Sequence, residues 1–124
     1  MSTVRSFRDL IVWQKAMDMV ERVYEVSRCY PREEQFGLTS QTRRAATSVP
    51  ANIAEGHGRG TRASYAAFLG IARGSLRELE THLLLARRLR LTATEPLDAI
   101  LVDVDAVGRM LHALISRLSA QTPE

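Results

Sequence analysis

The chain has 124 residues, an apolar fraction of 45%, a net charge of +3 and an isoelectric point near 9.6. That length fits one domain whose core needs no metal or disulfide staple. Its one cysteine, Cys29, excludes an internal disulfide and a four-cysteine zinc site, and no apolar run approaches the ~18–20 residues that span a bilayer.

Four amphipathic helices are predicted in order, at about 10–28, 34–56, 61–91 and 95–118, with no convincing strand. The first, with Asp9 as its expected N-cap, carries two neighbouring apolar stripes. One is Leu10, Trp13, Met17, Val20 and Tyr24; the other is Val12, Ala16, Met19, Val23 and Val26. Together they make a face wider than one bundle core requires. Tyr30-Pro31 ends the helix, and Cys29 is expected near that end as a small hydrophobe.

The second helix contains SVPANIAEGHGRG, Ser48 to Gly60. Pro50 has no N–H to give and presses on the carbonyl of Ala46, which would cost an isolated helix about 3 kcal/mol. Its small neighbours Ala45, Ala46, Ser48, Ala51 and Ala54 allow packing to hold one helix with a kink. Gln41, Arg44, Ser48, Asn52 and Glu55 share a polar face by spacing, beside an apolar set of Leu38, Ala45, Val49 and Ile53. Gly56 is expected to end the helix in a left-handed conformation, with Gly58 and Gly60 making the reversal. These glycines match neither a phosphate loop nor a dinucleotide loop. His57, Arg59 and Arg62 beside the next helix start form a candidate anion site, although a plain turn explains the loop as well.

The third helix, capped by Thr61 or Ser64, places Leu69, Ala72, Leu76, Leu79, Leu83 and Ala86 at three-four spacing. Ser75, Glu78 and His82 answer the polar face of the second helix. A polar seam follows, with an expected Arg44–Glu78 ion pair. Such a seam serves to fix helix register; a ligand site inside the bundle is the sharper alternative. The fourth helix opens at Thr94-Glu95-Pro96 and carries Leu97, Leu101, Val104, Val107, Leu111, Leu114 and Leu118 before a polar tail, Ser119 to Glu124. The fold class is all-α: an antiparallel up-and-down four-helix bundle with a proline-kinked second helix.

No catalytic, cofactor or metal residue is nominated. His57, His82 and His112 are scattered, and the chain has no H-E-x-x-H and no G-x-S-x-G. Glu78 and His82, four apart, are a lone pair of ligand types. Cys29 has no activating neighbour. The chain reads as a non-enzyme. Its N-terminus lacks the apolar run of a secretory signal, so the expected location is the cytoplasm, with no membrane partner.

FRDLIVWQKA (7–16), FGLTSQTRRAATSVPANIAEG (36–56) and FLGIARGSLRELE (68–80) resemble the ribosomal-RNA intervening-sequence protein family over about residues 5 to 118. The specific runs are Ser48, Val49, Pro50, Asn52, Ile53, Ala54, Glu55, Gly56 and Gly74, Ser75, Leu76, Glu78, Leu79, Glu80. The resemblance implies antiparallel four-helix bundles that assemble into five-membered rings. Some members are encoded inside insertions in large-subunit ribosomal-RNA genes. Similar small basic proteins act as retroelement accessories that contact nucleic acid. The family supplies no catalytic residues to carry over.

Two partner classes follow. Ile11, Val12 and Trp13, and Leu84 and Leu85, are successive apolar residues about 100° apart, so some must lie outside one core and are candidates for a self-interface. Arginine supplies 16 of the 17 basic residues. Its fork suits phosphate, and codon usage in a GC-rich genome would produce the same bias. Arg43, Arg59, Arg62, Arg87, Arg88 and Arg90 are the candidate RNA or DNA contacts. The expected function is a ring-forming homo-oligomeric scaffold or adaptor. The alternative is a nucleic-acid-binding accessory.

Overall fold

The computed structural model describes residues 4–120. Four helices lie within them: α1 (Ile11–Ser27), α2 (Leu38–Gly58), α3 (Arg62–Arg88) and α4 (Thr94–Ala120). Two 3-10 turns, Phe7–Asp9 and Arg32–Glu34, precede α1 and α2, and among the described residues there is no strand. Ser119 and Ala120 are still helical, and the rest of the expected polar tail lies outside the described residues.

Local chemistry sets the helix ends. Asp9 does not cap α1. Its carboxylate accepts the backbone N–H groups of Arg5 at 2.8 Å and Ser6 at 3.1 Å, closing the preceding turn. Those two donors, Arg5 first, hold the Asp9 carboxyl below its ordinary range. Thr61 rather than Ser64 caps α3, its hydroxyl accepting from the Ser64 N–H at 3.2 Å. At the other end, α3 stops at Arg88, short of the expected Leu91. The N–H of Leu91 reaches the carbonyl of Ala86 at 3.0 Å and that of Arg90 reaches Arg87 at 3.2 Å. This is a Schellman closure, with Arg90 at φ 56° in the place usually given to glycine.

Gly56 is not the terminator. It is helical and buried, and α2 continues to Gly58. The reversal falls at Gly60, φ 86°. A Cβ on Gly56 would stand 2.7 Å from the Cβ of Phe68 and 3.2 Å from the Tyr65 carbonyl oxygen. The glycine is there because α3 passes against it.

The core takes one stripe from each helix. On α1 it is Val12, Ala16, Met19, Val23 and Val26; the Leu10–Trp13–Met17–Val20–Tyr24 stripe is only partly covered or exposed. On α3 all six expected positions from Leu69 to Ala86 are fully buried. On α2 Ala45, Ala46, Val49 and Ile53 face inward. On α4 the buried set is Leu97, Ile100, Val104, Val107 and Leu111, with Ile100 displacing the expected Leu101, which is half-buried. Each fully buried leucine or isoleucine contributes about 1.5–3 kcal/mol over an exposed one. Cys29 is exposed rather than packed, because α1 has already ended at Ser27 and the chain turns there. Among the described residues no helix is long and apolar enough to cross a membrane.

Candidate functional site

The polar seam exists between α2 and α3 but is shorter than its spacing suggests. The Ser48 and Ser75 hydroxyls share a hydrogen bond of 2.8 Å. Asn52 Nδ2 donates to the Ser48 carbonyl at 2.8 Å and to its hydroxyl at 2.9 Å. All three residues are half-buried. Gln41, Arg44 and Glu78 are exposed, and among the described residues no ion pair joins Arg44 to Glu78. Water competes for two long, exposed, charged side chains, and such pairs gain little. Glu55 turns out to Arg59 at 3.0 Å. His82 is half-buried, and its Nδ1 has no hydrogen-bond partner among the described residues. The seam therefore consists of two neutral hydroxyls and an amide. Among the described residues no carboxylate or imidazole hydrogen-bonds to either serine, so none of them is placed to activate a hydroxyl as a nucleophile. The arrangement can hold two helices in register.

The nominated arginines do not share a face of one chain. Arg43 donates to the Ser27 hydroxyl at 2.8 Å and lies 4.6 Å over the Tyr24 ring. Arg59 sits on Glu55 and 5.0 Å over Phe68. Arg87 bridges α3 to α4 through Asp98 at 2.6 Å. Arg62 opens α3, and Arg88 and Arg90 close it, all exposed. Arg62 and Arg88 are separated by the length of α3, on the order of 40 Å.

A basic cluster that the sequence reading missed lies between α3 and α4. Arg73, Arg77, Arg109 and His112 line a groove of about 460 Å³ with Asp105 and Gly108. Its signal is Arg73 and Arg77 four apart on α3 and Arg109 and His112 three apart on α4. Only the register between the helices joins the pairs.

The apolar surface concentrates elsewhere. Trp13, Met17 and Val20 from α1 and Pro50, Ala51 and Ala54 from α2 line a groove of about 310 Å³, bordered by Thr47. Trp13 is braced edge-on by Phe7 at 5.2 Å between ring centres. Thr47 also borders the next cleft along this side, which contains Phe36; Phe36 is 90% exposed. Among the interface candidates Ile11 is 63% exposed and Leu85 is exposed, while Trp13 and Leu84 are half-buried. Val12 is the exception. At 6% exposure it belongs to the core stripe, since it shares the inward face with Ala16 and Met19.

Among the described residues no group of three or more His, Cys, Asp or Glu side chains is placed to hold a metal ion. Tyr30 is buried with its hydroxyl unpartnered among the described residues. Burial pushes that phenol up to about 12. Burial also raises Tyr65, against a smaller opposing influence of Arg117.

Comparison with known proteins follows from this geometry. No curated protein is significantly similar to the chain. Among solved structures, the chain is similar to a protein of unknown function from the S23 ribosomal protein family of Bacteroides thetaiotaomicron VPI-5482. The two share 26% identity with a TM-score of 0.79, over 85% of this chain and 98% of that one. The family model for the 23S rRNA-intervening sequence protein matches residues 8–113. The chain thus belongs to the 23S rRNA-intervening sequence protein family.

Proposed function

We propose that this protein is a non-enzymatic scaffold or adaptor that assembles with copies of itself in the cytoplasm. Its four helices pack as one antiparallel up-and-down bundle. Two progressions support that packing. From Gly56 back to Ser48 on α2, the neighbour on α3 advances from Phe68 to Ser75. From Asp98 forward to Gly108 on α4, the neighbour on α3 retreats from Arg87 to Arg77. A bend at Pro50 accompanies it. Pro50 offers no N–H to Ala46, and the Thr47 hydroxyl donates to the carbonyls of Arg43 and Arg44 at 3.1 and 3.2 Å, a back-bonding pattern that bends helices.

The observation that carries self-assembly is the outward stripe of α1. A chain with one core has no use for a second apolar stripe, yet Trp13, Met17 and Val20 meet Pro50, Ala51 and Ala54 in a groove with almost no polar lining. Phe36 stands beside it as an exposed knob. Knob and groove are distinct, adjoining patches of one subunit. Phe36 of one copy entering the groove of the next makes a heterologous contact, which closes into a ring when the rotation permits. The family resemblance gives that ring five copies. Sedimentation of the wild type and of Phe36→Ser tests this reading. The wild type is expected at a multiple of 13.9 kDa. The variant is expected at the single-chain mass with its helical content intact, because Phe36 is 90% exposed in its own chain. Trp13→Ala is expected to dissociate the oligomer too, with some loss of stability. A wild type that stays single-chain at high concentration overturns the reading.

The alternative, an RNA- or DNA-binding accessory using the nominated arginines, has less support. Arg43, Arg59 and Arg87 are already engaged within the chain. Arg88 and Arg90 are its best remaining residues.

A further inference from the structure

We propose that the α3–α4 groove of Arg73, Arg77, Arg109 and His112 binds a chain of phosphates, the chemistry shared by an RNA strand and a linear polyphosphate. The site lies inside one chain, so it goes beyond the assembly reading and does not rest on it.

Charge placement is the first reason. Arg73 and Arg77 are like charges four apart on one helix, an arrangement that by itself disfavours the helix. Arg109 adds a third guanidinium to the same groove. The carboxylates opposing them are few and loosely held. Asp105 meets Arg109 at 3.2 Å, with both side chains about three-quarters exposed. Glu80 meets Arg77 at 2.6 Å, also in solvent reach. Exposed pairs of this kind are worth little and exchange readily for a phosphate, which accepts two N–H bonds from each fork. Among the described residues Arg73 forms no ion pair.

Shape is the second reason. Gly108 leaves room for Arg77 at the floor of the groove. The guanidinium tip of Arg77 lies 2.8 Å from where a Cβ on Gly108 would stand, so that arginine occupies space only a glycine leaves. Three forks spread over two helices can be engaged in turn by successive phosphates of one chain. The lining offers no aromatic or aliphatic anchor, which an acidic peptide would need. Elsewhere on α4 Asp98 pairs with Arg87 and Asp103 with Arg22, both away from this groove.

The test measures binding of a fluorescent uridine oligomer at about 50 mM salt, with tripolyphosphate and polyglutamate as competitors. The wild type is expected to bind, with log affinity falling against log salt at a slope near −2, as three neutralised phosphates on a single strand require. Arg73→Gln/Arg77→Gln/Arg109→Gln is expected to lose about tenfold or more at an unchanged Tm. Arg87→Gln/Arg88→Gln/Arg90→Gln is expected to bind as wild type. Competition by tripolyphosphate, phosphate for phosphate, assigns the site to inorganic chains. Binding of the oligomer alone assigns it to a strand. No binding at low salt, unchanged binding by the groove variant, or equal competition by polyglutamate overturns the proposal. Repeating the titration on Phe36→Ser separates this outcome from failure of the assembly reading.

Discussion

Gly56 on α2 and Gly108 on α4 are both buried in helix interiors, and both face α3. At Gly56 the space is closed by fixed atoms: the Cβ of Phe68 at 2.7 Å and the carbonyl oxygen of Tyr65 at 3.2 Å from an added Cβ. At Gly108 the nearest atom, 2.8 Å away, is the tip of Arg77, the far end of a flexible side chain. The first glycine permits two backbones to meet. The second leaves room for a charge. The same residue type thus marks a structural contact on one side of α3 and a candidate ligand groove on the other.

The largest effect would break both sides together. Leu76 is fully buried on α3 and packs near Gly108. Leu76→Asp places a charge in the core and is expected to cost more than about 4 kcal/mol; circular dichroism should find the chain unfolded. A folded variant would mean that Leu76 does not sit in the core.

Titration separates packing from charge. Tyr30 works at the alkaline end. In the unfolded chain its phenol ionises near 10, and in the fold near 12. Its contribution to stability is therefore complete below pH 10 and is lost as pH rises toward 12. Denaturant melts of wild type and Tyr30→Phe should diverge over that range, the phenylalanine variant losing less because only the raised phenol of Tyr65 remains. Parallel curves would place the alkaline weakness elsewhere.

Gly56→Ala sharpens the glycine contrast itself. Overpacking against fixed atoms costs about 1–3 kcal/mol, and the gain in helix propensity offsets only part. Arg90→Gly acts at the end of α3. Arg90 holds φ 56° without being glycine, so the substitution should add about 0.5–1 kcal/mol, read as a higher Tm. Gly108→Ala is expected to have the smallest effect, within ~0.5 kcal/mol, because its propensity gain balances the displacement of Arg77. If Gly108→Ala proved as costly as Gly56→Ala, the distinction between the two contacts would fail.

Much of the fold was legible, for identifiable reasons. The α3 stripe from Leu69 to Ala86 admits one helical face, and all six positions are buried. The two stripes of α1 were legible as a pair, but spacing alone could not say which faces inward. That choice depends on where α2 and α4 lie. Gly56 was misread because helix-ending rules are local, whereas its role is set by Phe68 beyond the turn. The structure brings Ser48, Asn52 and Ser75 together and leaves Arg44 and Glu78 exposed. Short side chains must bond where they stand, and long ones reach water. The Arg73–Arg109 groove was invisible because its halves sit on separate helices.

The most direct test of the central claim is molar mass in solution by sedimentation equilibrium, comparing wild type with Phe36→Ser across a wide concentration range. The account predicts a multiple of the 13.9 kDa chain mass for the wild type and the single-chain mass for a fully helical variant. A wild type that remains one chain at every concentration contradicts it.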